Sequence, residues 1–444
     1  MPNGESHSGP EPRALLAPYF EWTILLQVFG VAIRMRMLVL ATLAVLLSVV
    51  GWRVSTAIFL GSEEKPYLAE QSRSFREMAY HYAHLPDNTV GVRFGARDRA
   101  YAVEADVEAA PEPSRAAMEQ AADGSMTFFG EPVYNVWRSL TEPFRQMFVP
   151  ANDYRKLAYF LFGGLWNLAL WAFFGSAMCR ISAMQLARGE RVAFGESVAF
   201  ARRKWPSNIA AVVLPLLGVV IVSLPGLVLG WLMRLDIGLA VGGALYFVIL
   251  LLSFLATLMA VGLWVGWPLM WAAIGVEASD SFDALSRSFA YVFQRPLHYL
   301  IYAVIGSLVG LLGYVLVSIL CEAVITLADW AVAWGASADR VMQIDGALLD
   351  ENASGAAAAG AWLTAMWQRL VRVVGTAYSY AFFFAMMTAV YLLLRRDVDQ
   401  TETDEIFLDE EDEDLYGLPP LETDEAAVPD TVDQNHARQE EAPQ

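Results

Sequence analysis

Residues 237–273 read IGLAVGGALYFVILLLSFLATLMAVGLWVGWPLMWAA, 37 positions without a charged side chain. A bilayer's hydrocarbon core is ~30 Å thick and takes about 20 apolar residues of helix to cross. A run this long is cheaper in lipid than in water, which sets the class: an all-α membrane protein. It is also too long for one simple span, since at ~1.5 Å per residue a straight helix would exceed ~50 Å. Its latter part, GLWVGWPLMWAAIG, holds Pro268 and three tryptophans, residues that suit a membrane–water interface. The reading is one span followed by a bent interfacial extension; two spans is the alternative.

Five more runs extend the pattern: 37–60 (broken only by Arg53), 157–179, 209–233, 297–320 and 373–394. The expected architecture is a six-span transmembrane helical bundle. Charged residues make up 18% of the chain, against about a quarter in soluble domains. Arginine placement then sets the threading. Arg34 and Arg36 precede the first span. Arg180, Arg188, Arg191, Arg202, Arg203 and Lys204 lie between the second and third, Arg287 and Arg295 between the fourth and fifth, and Arg395 and Arg396 close the sixth. Six spans put all these clusters on one side, which by the positive-inside rule is the cytoplasm. A seventh span would send the later clusters outside. Both termini are expected in the cytoplasm of a bacterium, at its inner membrane, because long helices argue against an outer-membrane barrel. Glu5, Glu11, Arg13 and Glu21 stand where a signal peptide would have a basic region, so the first span is expected to drive insertion.

The chain divides into a cytoplasmic segment with an amphipathic helix (1–36), the first span (37–60), an extracytoplasmic loop (61–156), a five-helix membrane domain (157–396) and an acidic tail (397–444). Within the long loop, Val133, Trp137, Leu140, Phe144 and Met147 recur at spacings of three and four, which predicts an amphipathic helix in the outer interface. The turn at 234–236 is tight. The stretch 321–372 reads as a looser loop containing the low-complexity ASGAAAAGA. Of the 48 Asp and Glu, 18 fall after Arg396, with one arginine, Arg438. The net charge of −18 therefore belongs to a tail expected to be disordered.

The two major connections on the arginine side resemble each other. In FGESVAFARRKW, Phe194, Val198, Ala201 and Trp205 share a helical face. Eighty-eight residues later, in FDALSRSFAYVF, the matching positions are Phe282, Ser286, Phe289 and Phe293. Each is followed by a proline (Pro206, Pro296) and a span. The unit is an aromatic-edged helix on the bilayer surface that feeds a span, and two copies suggest duplication. In this order of interfacial helix, proline and span, residues 157–396 resemble the membrane domain that precedes some bacterial glycerophosphodiester phosphodiesterases, and its stand-alone relatives. GWPLMWAAIGVEASDSFDALSRSFAYVFQRP is the most family-like stretch. The resemblance implies a membrane domain only. After the last span stands the acidic tail rather than a hydrolase domain, so no catalytic residue is carried over.

Candidate chemistry is sparse, and no catalytic, cofactor or metal site is expected. Ionisable groups within the spans are nearly missing, which disfavours a proton-driven pump. Glu322, at the outer end of the fifth span, has no partner at readable spacing. Asn167 reads as an interhelical hydrogen bond. Glu77, His81 and His84 share a helical face, as zinc ligands would, but read as a solvated surface, and so does His298. Cys179 and Cys321 lie near opposite faces, too far apart for a disulfide. Glycine pairs four apart (Gly226/Gly230, Gly238/Gly242, Gly262/Gly266, Gly306/Gly310) permit close helix packing within the bundle, or in a homo-oligomer. Arg202, Arg203, Lys204 and Trp205 are the candidate contact with anionic lipid headgroups. Ile406, Phe407, Leu408, Leu415, Tyr416 and Leu418 punctuate the acidic tail as a candidate binding segment for a basic cytoplasmic protein. Nucleic acid is not an expected partner. The leading functional expectation is a non-enzymatic membrane component that organises lipid or supports partner proteins. The alternative is a transporter or lipid-moving permease, for which Pro215, Pro225 and Pro268 would supply helix breaks.

Overall fold

The structure, a computed structural model, describes residues 23–59, 132–147, 154–336, 340 and 355–407. Among them the chain forms α1 (Ile24–Ala32), α2 (Met35–Phe59), α3 (Pro132–Met147), α4 (Tyr154–Arg188), α5 (Phe194–Leu232), α6 (Asp236–Glu277), α7 (Ser281–Gln294), α8 (Pro296–Gly335) and α9 (Gly355–Asp399). Six of these, α2, α4, α5, α6, α8 and α9, are long and apolar enough to cross a membrane. The fold is an all-α bundle of six spans.

Local chemistry marks the helix ends. Gly189, with φ of 72°, follows the last residue of α4, a left-handed position that costs glycine little. The α6 helix stops at Ala278 in the same region. Asp280 then starts α7, its carboxylate accepting from the backbone N–H groups of Phe282 and Asp283 at 3.0 and 2.9 Å, as an N-cap should. Pro296 opens α8 at its first turn, where its missing N–H costs nothing.

At the centre stands α9. Residues 381–394 are all buried, and aromatic rings from three helices interlock there. Trp171 of α4 stacks on Tyr380 at 4.1 Å and on Phe384 at 5.8 Å; Trp271 of α6 stacks on Phe384 at 5.9 Å. Along α8, Gly306, Gly310 and Gly313 sit against Met386, Phe382 and Tyr378 of α9. A Cβ on Gly310 would lie 2.6 Å from Phe382 Cε1, so only glycine lets these helices approach so closely. Gly262 does the same for α7, where a Cβ would lie 2.9 Å from Phe289 Cζ, whereas one on Gly266 would make only ordinary contact with Val292 at 3.6 Å. Gly230 meets nothing within 4 Å.

Four expectations need revision. Residues 237–273 form one span, as read, but their tryptophan-rich end is no separate surface segment: α6 is one 42-residue helix, and Trp267 and Trp271 are buried. Ring stacking on α9 draws that end inward; of the three tryptophans only Trp264, 51% exposed, faces out. The loop expected at 321–372 is largely helix, since α8 runs to Gly335 and α9 starts at Gly355; the alanines of ASGAAAAGA are strong helix formers. The surface helix at 194–205 does not break at Pro206 but continues as α5. Finally, α3 buries Val133, Val136 and Leu140 against the bundle. Its Trp137 indole donates to the Trp264 carbonyl at 3.0 Å, and Ser139 meets Tyr380 at 3.0 Å, so its apolar face meets protein.

Candidate functional site

The ends of α6, α7, α8 and α9 converge on one polar network. Glu277, the last residue of α6, accepts from the Tyr391 hydroxyl at 2.7 Å and from Arg287 Nη1 at 3.0 Å. Arg395 Nε lies 3.0 Å from the same carboxylate. One turn further on, Asp399 accepts from the Tyr291 hydroxyl and lies 3.9 Å from Arg287. Asp397 accepts from Tyr302 of α8 at 3.0 Å. The side chains of Glu277 and Arg395 are 11% and 13% exposed. Burial pulls the Arg287 guanidinium down, but the Glu277 carboxylate together with Tyr391 and Tyr291 outweighs burial and holds it above its ordinary value. Burial and the Asp399 carboxylate raise the Tyr291 phenol, which keeps its proton and donates it. Each of these three carboxylates is matched by a donor. The cluster is built as a clamp on four helix ends, and removing one member of a buried pair typically costs ~3–5 kcal/mol.

The same face carries a basic cavity of about 310 Å³. Arg34 and Arg36, at the α1–α2 junction, and Arg191, between α4 and α5, line it together with Met35, Gln185 and Glu190. Arg36 donates to the Val192 carbonyl. Glu190 lies 3.2 Å from Arg188. Burial, then Arg191 and Arg36, hold the Arg34 guanidinium below its ordinary value.

The cluster 202–205 splits. Arg202 and Arg203 are exposed, with Arg203 5.7 Å from the Phe200 ring. Lys204 turns inward and donates to the Ala278 carbonyl at the end of α6, where a cation complements the helix dipole. Trp205 donates to the Ala169 carbonyl at 2.7 Å and keeps its ring 41% exposed. The outer positions of both repeated segments are likewise open: Phe194, Phe282 and Phe293 are 40%, 68% and 47% exposed. Between them lie buried faces holding Ser197, Phe200 and Ala201 in one segment, Ala284, Ser288 and Tyr291 in the other.

Asn167 is bonded as read from sequence: Ser48 Oγ donates to its Oδ1 at 2.5 Å. Glu322 does have a partner, Arg372 of α9, at 2.8 Å. Ile406 packs on the apolar core and Phe407 is 42% exposed. Leu408, Leu415, Tyr416 and Leu418, like Glu77, His81 and His84, lie outside the described residues. The His298 ring stands 6.3 Å from that of Tyr302. Among the described residues no group of three His, Cys, Asp or Glu side chains is placed to hold a metal ion.

Sequence reading missed both polar assemblies. Arg34, Arg36 and Arg191 counted only as topology signals. The Glu277 clamp joins partners up to about 120 positions apart, beyond any local spacing rule. One signal was readable: Arg287 and Tyr291, and Tyr391, Arg395 and Asp399, recur every four residues, on one helical face.

No family model, curated protein or solved structure matches this chain.

Proposed function

We propose that this multi-pass protein works without chemistry of its own, organising lipid and supporting partner proteins at its arginine-rich face. That face is taken as cytoplasmic, in a bacterial inner membrane. The observation that carries the reading is the division of labour across the molecule. The middle of the bundle is filled by stacked rings of Trp171, Trp271 and Phe384, while on the arginine-rich face the start of α5 and the short helix α7 present exposed aromatic edges beside basic side chains. Aromatic and basic residues together suit the headgroup layer. The acidic tail is the segment offered to a basic partner. The resemblance of residues 157–396 to the membrane domain of the phosphodiesterases belongs to this proposal, as a shared architecture without the hydrolase.

The permease alternative asks for broken helices, and here α5 runs unbroken through Pro206, Pro215 and Pro225, and α6 through Pro268. The test is reconstitution of the full chain in vesicles loaded with amino acids, sugars and inorganic ions. Loaded vesicles are expected to retain these solutes as well as empty-membrane controls do, while photoreactive groups at positions 282 and 293 cross-link to phospholipid. Saturable, protein-dependent release that persists after deletion of 397–444 would overturn the proposal.

A further inference from the structure

The basic cavity is built from cations that have each other as neighbours. Among the described residues, none of Arg34, Arg36 and Arg191 forms an ion pair. Glu190 alone of the lining residues is acidic, and Arg188 lies 3.2 Å from it. Three guanidinium groups held together repel unless an anion sits among them. Their planar donor forks match the oxygens of a phosphate better than ammonium groups would. At about 310 Å³ the cavity stands near the lower end of small-ligand sites, roughly 300–1,000 Å³. It has room for a headgroup and none for acyl chains.

A second observation says where those chains would go. Met35, which lines the cavity, is 76% exposed. From it an apolar stripe runs down α2 through Val39, Leu43, Leu47, Val50 and Val54, each between 39% and 51% exposed. The spacing of three and four residues places them on one face of the helix, and an exposed apolar face on a spanning helix meets lipid. The cavity therefore opens at the head of an acyl-chain track, a feature that a soluble anion has no use for.

We infer that the cavity of Arg34, Arg36 and Arg191 binds the phosphate of an anionic phospholipid whose acyl chain lies along the exposed stripe of α2. The inference goes beyond the proposed function and rests only on the six spans. A basic pocket between spanning helices is a recognised form of headgroup site.

Native mass spectrometry of the purified full chain, offered phosphatidylglycerol and phosphatidylcholine in competition, tests it. The wild type is expected to retain phosphatidylglycerol over phosphatidylcholine by about tenfold or more. R34Q with R191Q should abolish that preference, and R369Q, at an exposed arginine of α9 outside the cavity, should leave it intact. R34K with R191K, which keeps the charge and loses the fork, should give an intermediate value and covers the case in which the glutamine pair fails to fold. Equal retention of the two lipids by the wild type, or undiminished preference in R34Q with R191Q, overturns the inference. Inorganic phosphate forms the third arm. If it displaces phosphatidylglycerol from the wild type at millimolar concentration, the site takes its phosphate from solution and the lipid assignment falls. Solute release from loaded vesicles would sink the proposed function without touching this result.

Discussion

Helix α9 and the α5–α6 hairpin invert the rule that the most apolar segments lie innermost. The most apolar window of α9 has a mean hydropathy of 1.6 and is 94% buried; those of α5 and α6 reach 2.7 and 2.5 and are 11% and 6% buried. In water the order would be reversed. In a bilayer, lipid tails are as apolar as leucine, so no hydrophobic force drives a helix inward. The central helix is instead made of groups that pack or bond: Phe382, Phe383 and Phe384, Met386 and Met387, and hydroxyls returned to the backbone, as Thr388 donates to the Phe384 carbonyl at 2.8 Å. The hairpin spends its leucines on lipid, with Leu227, Phe247 and Leu251 between 66% and 71% exposed. Hydropathy in this chain reports lipid contact, and burial follows from shape.

The comparison breaks most easily at Phe384. Phe384→Ala removes a ring stacked on both Trp171 and Trp271 and is expected to cost about 4 kcal/mol. The equal truncation Phe247→Ala should stay within about 0.5 kcal/mol, both read from unfolding in mixed micelles. Similar losses at the two positions would mean that the hairpin has a protein partner rather than lipid against it.

Glu277 is where the two regions are fastened, since it ends α6 and holds Tyr391 and Arg395 of α9. Glu277→Gln leaves Arg395 without its anion and should cost about 3 kcal/mol. Adding Arg395→Met should recover part of that loss, because the stranded charge goes with it. Full additivity in this double-mutant cycle would show that the two side chains act independently. Next in size is the glycine seam. Gly310→Leu must displace Phe382 and is expected to lose about 2 kcal/mol, while Gly230→Leu, with nothing within 4 Å, should be silent. A destabilised or monomerised Gly230→Leu would reveal a homo-oligomer face on the hairpin.

What the sequence made legible divides along the same line. Span number and the common side of the arginines follow from uncharged length and charge position, which any long apolar run displays. Which face of a span meets protein is not displayed, because the inner runs of α5, α6, α8 and α9 (209–233, 237–273, 297–320 and 373–394) carry no charged side chain to mark one. Hence Trp267 and Trp271, residues typical of an interface, were placed at the surface although ring stacking buries them. Glu277 carries no local sign of its role, because its partner Tyr391 lies 114 positions away. The stretch 321–372 reads as loop from its low-complexity ASGAAAAGA, and the polar pairs that join the two helices there, Glu322 with Arg372 and Asp329 with Gln368, lie 50 and 39 positions apart. In the structure they bond across the two helices, Gln368 to Asp329 at 2.9 Å and Arg372 to Glu322 at 2.8 Å.

The smallest expected effect lies at the seam between α2 and α4, where both helices are half packed and half lipid-facing, with 44% and 39% of their windows buried. Ser48 donates to Asn167 there, and Asn167 is only 5% exposed. A polar pair cut off from water looks costly to break. The reference state weakens that argument, because separated helices in a bilayer still find partners, and measured interhelical bonds average ~0.6 kcal/mol. Ser48 has such a partner nearby, since a serine on a spanning helix can return its proton to the carbonyl one turn earlier. Asn167→Ala should therefore lose about 1 kcal/mol, and Asn167→Leu, which refills the volume, still less. A loss above about 2 kcal/mol in the leucine variant would place this seam in the bonded regime of α9 rather than the lipid-solvated regime of the hairpin.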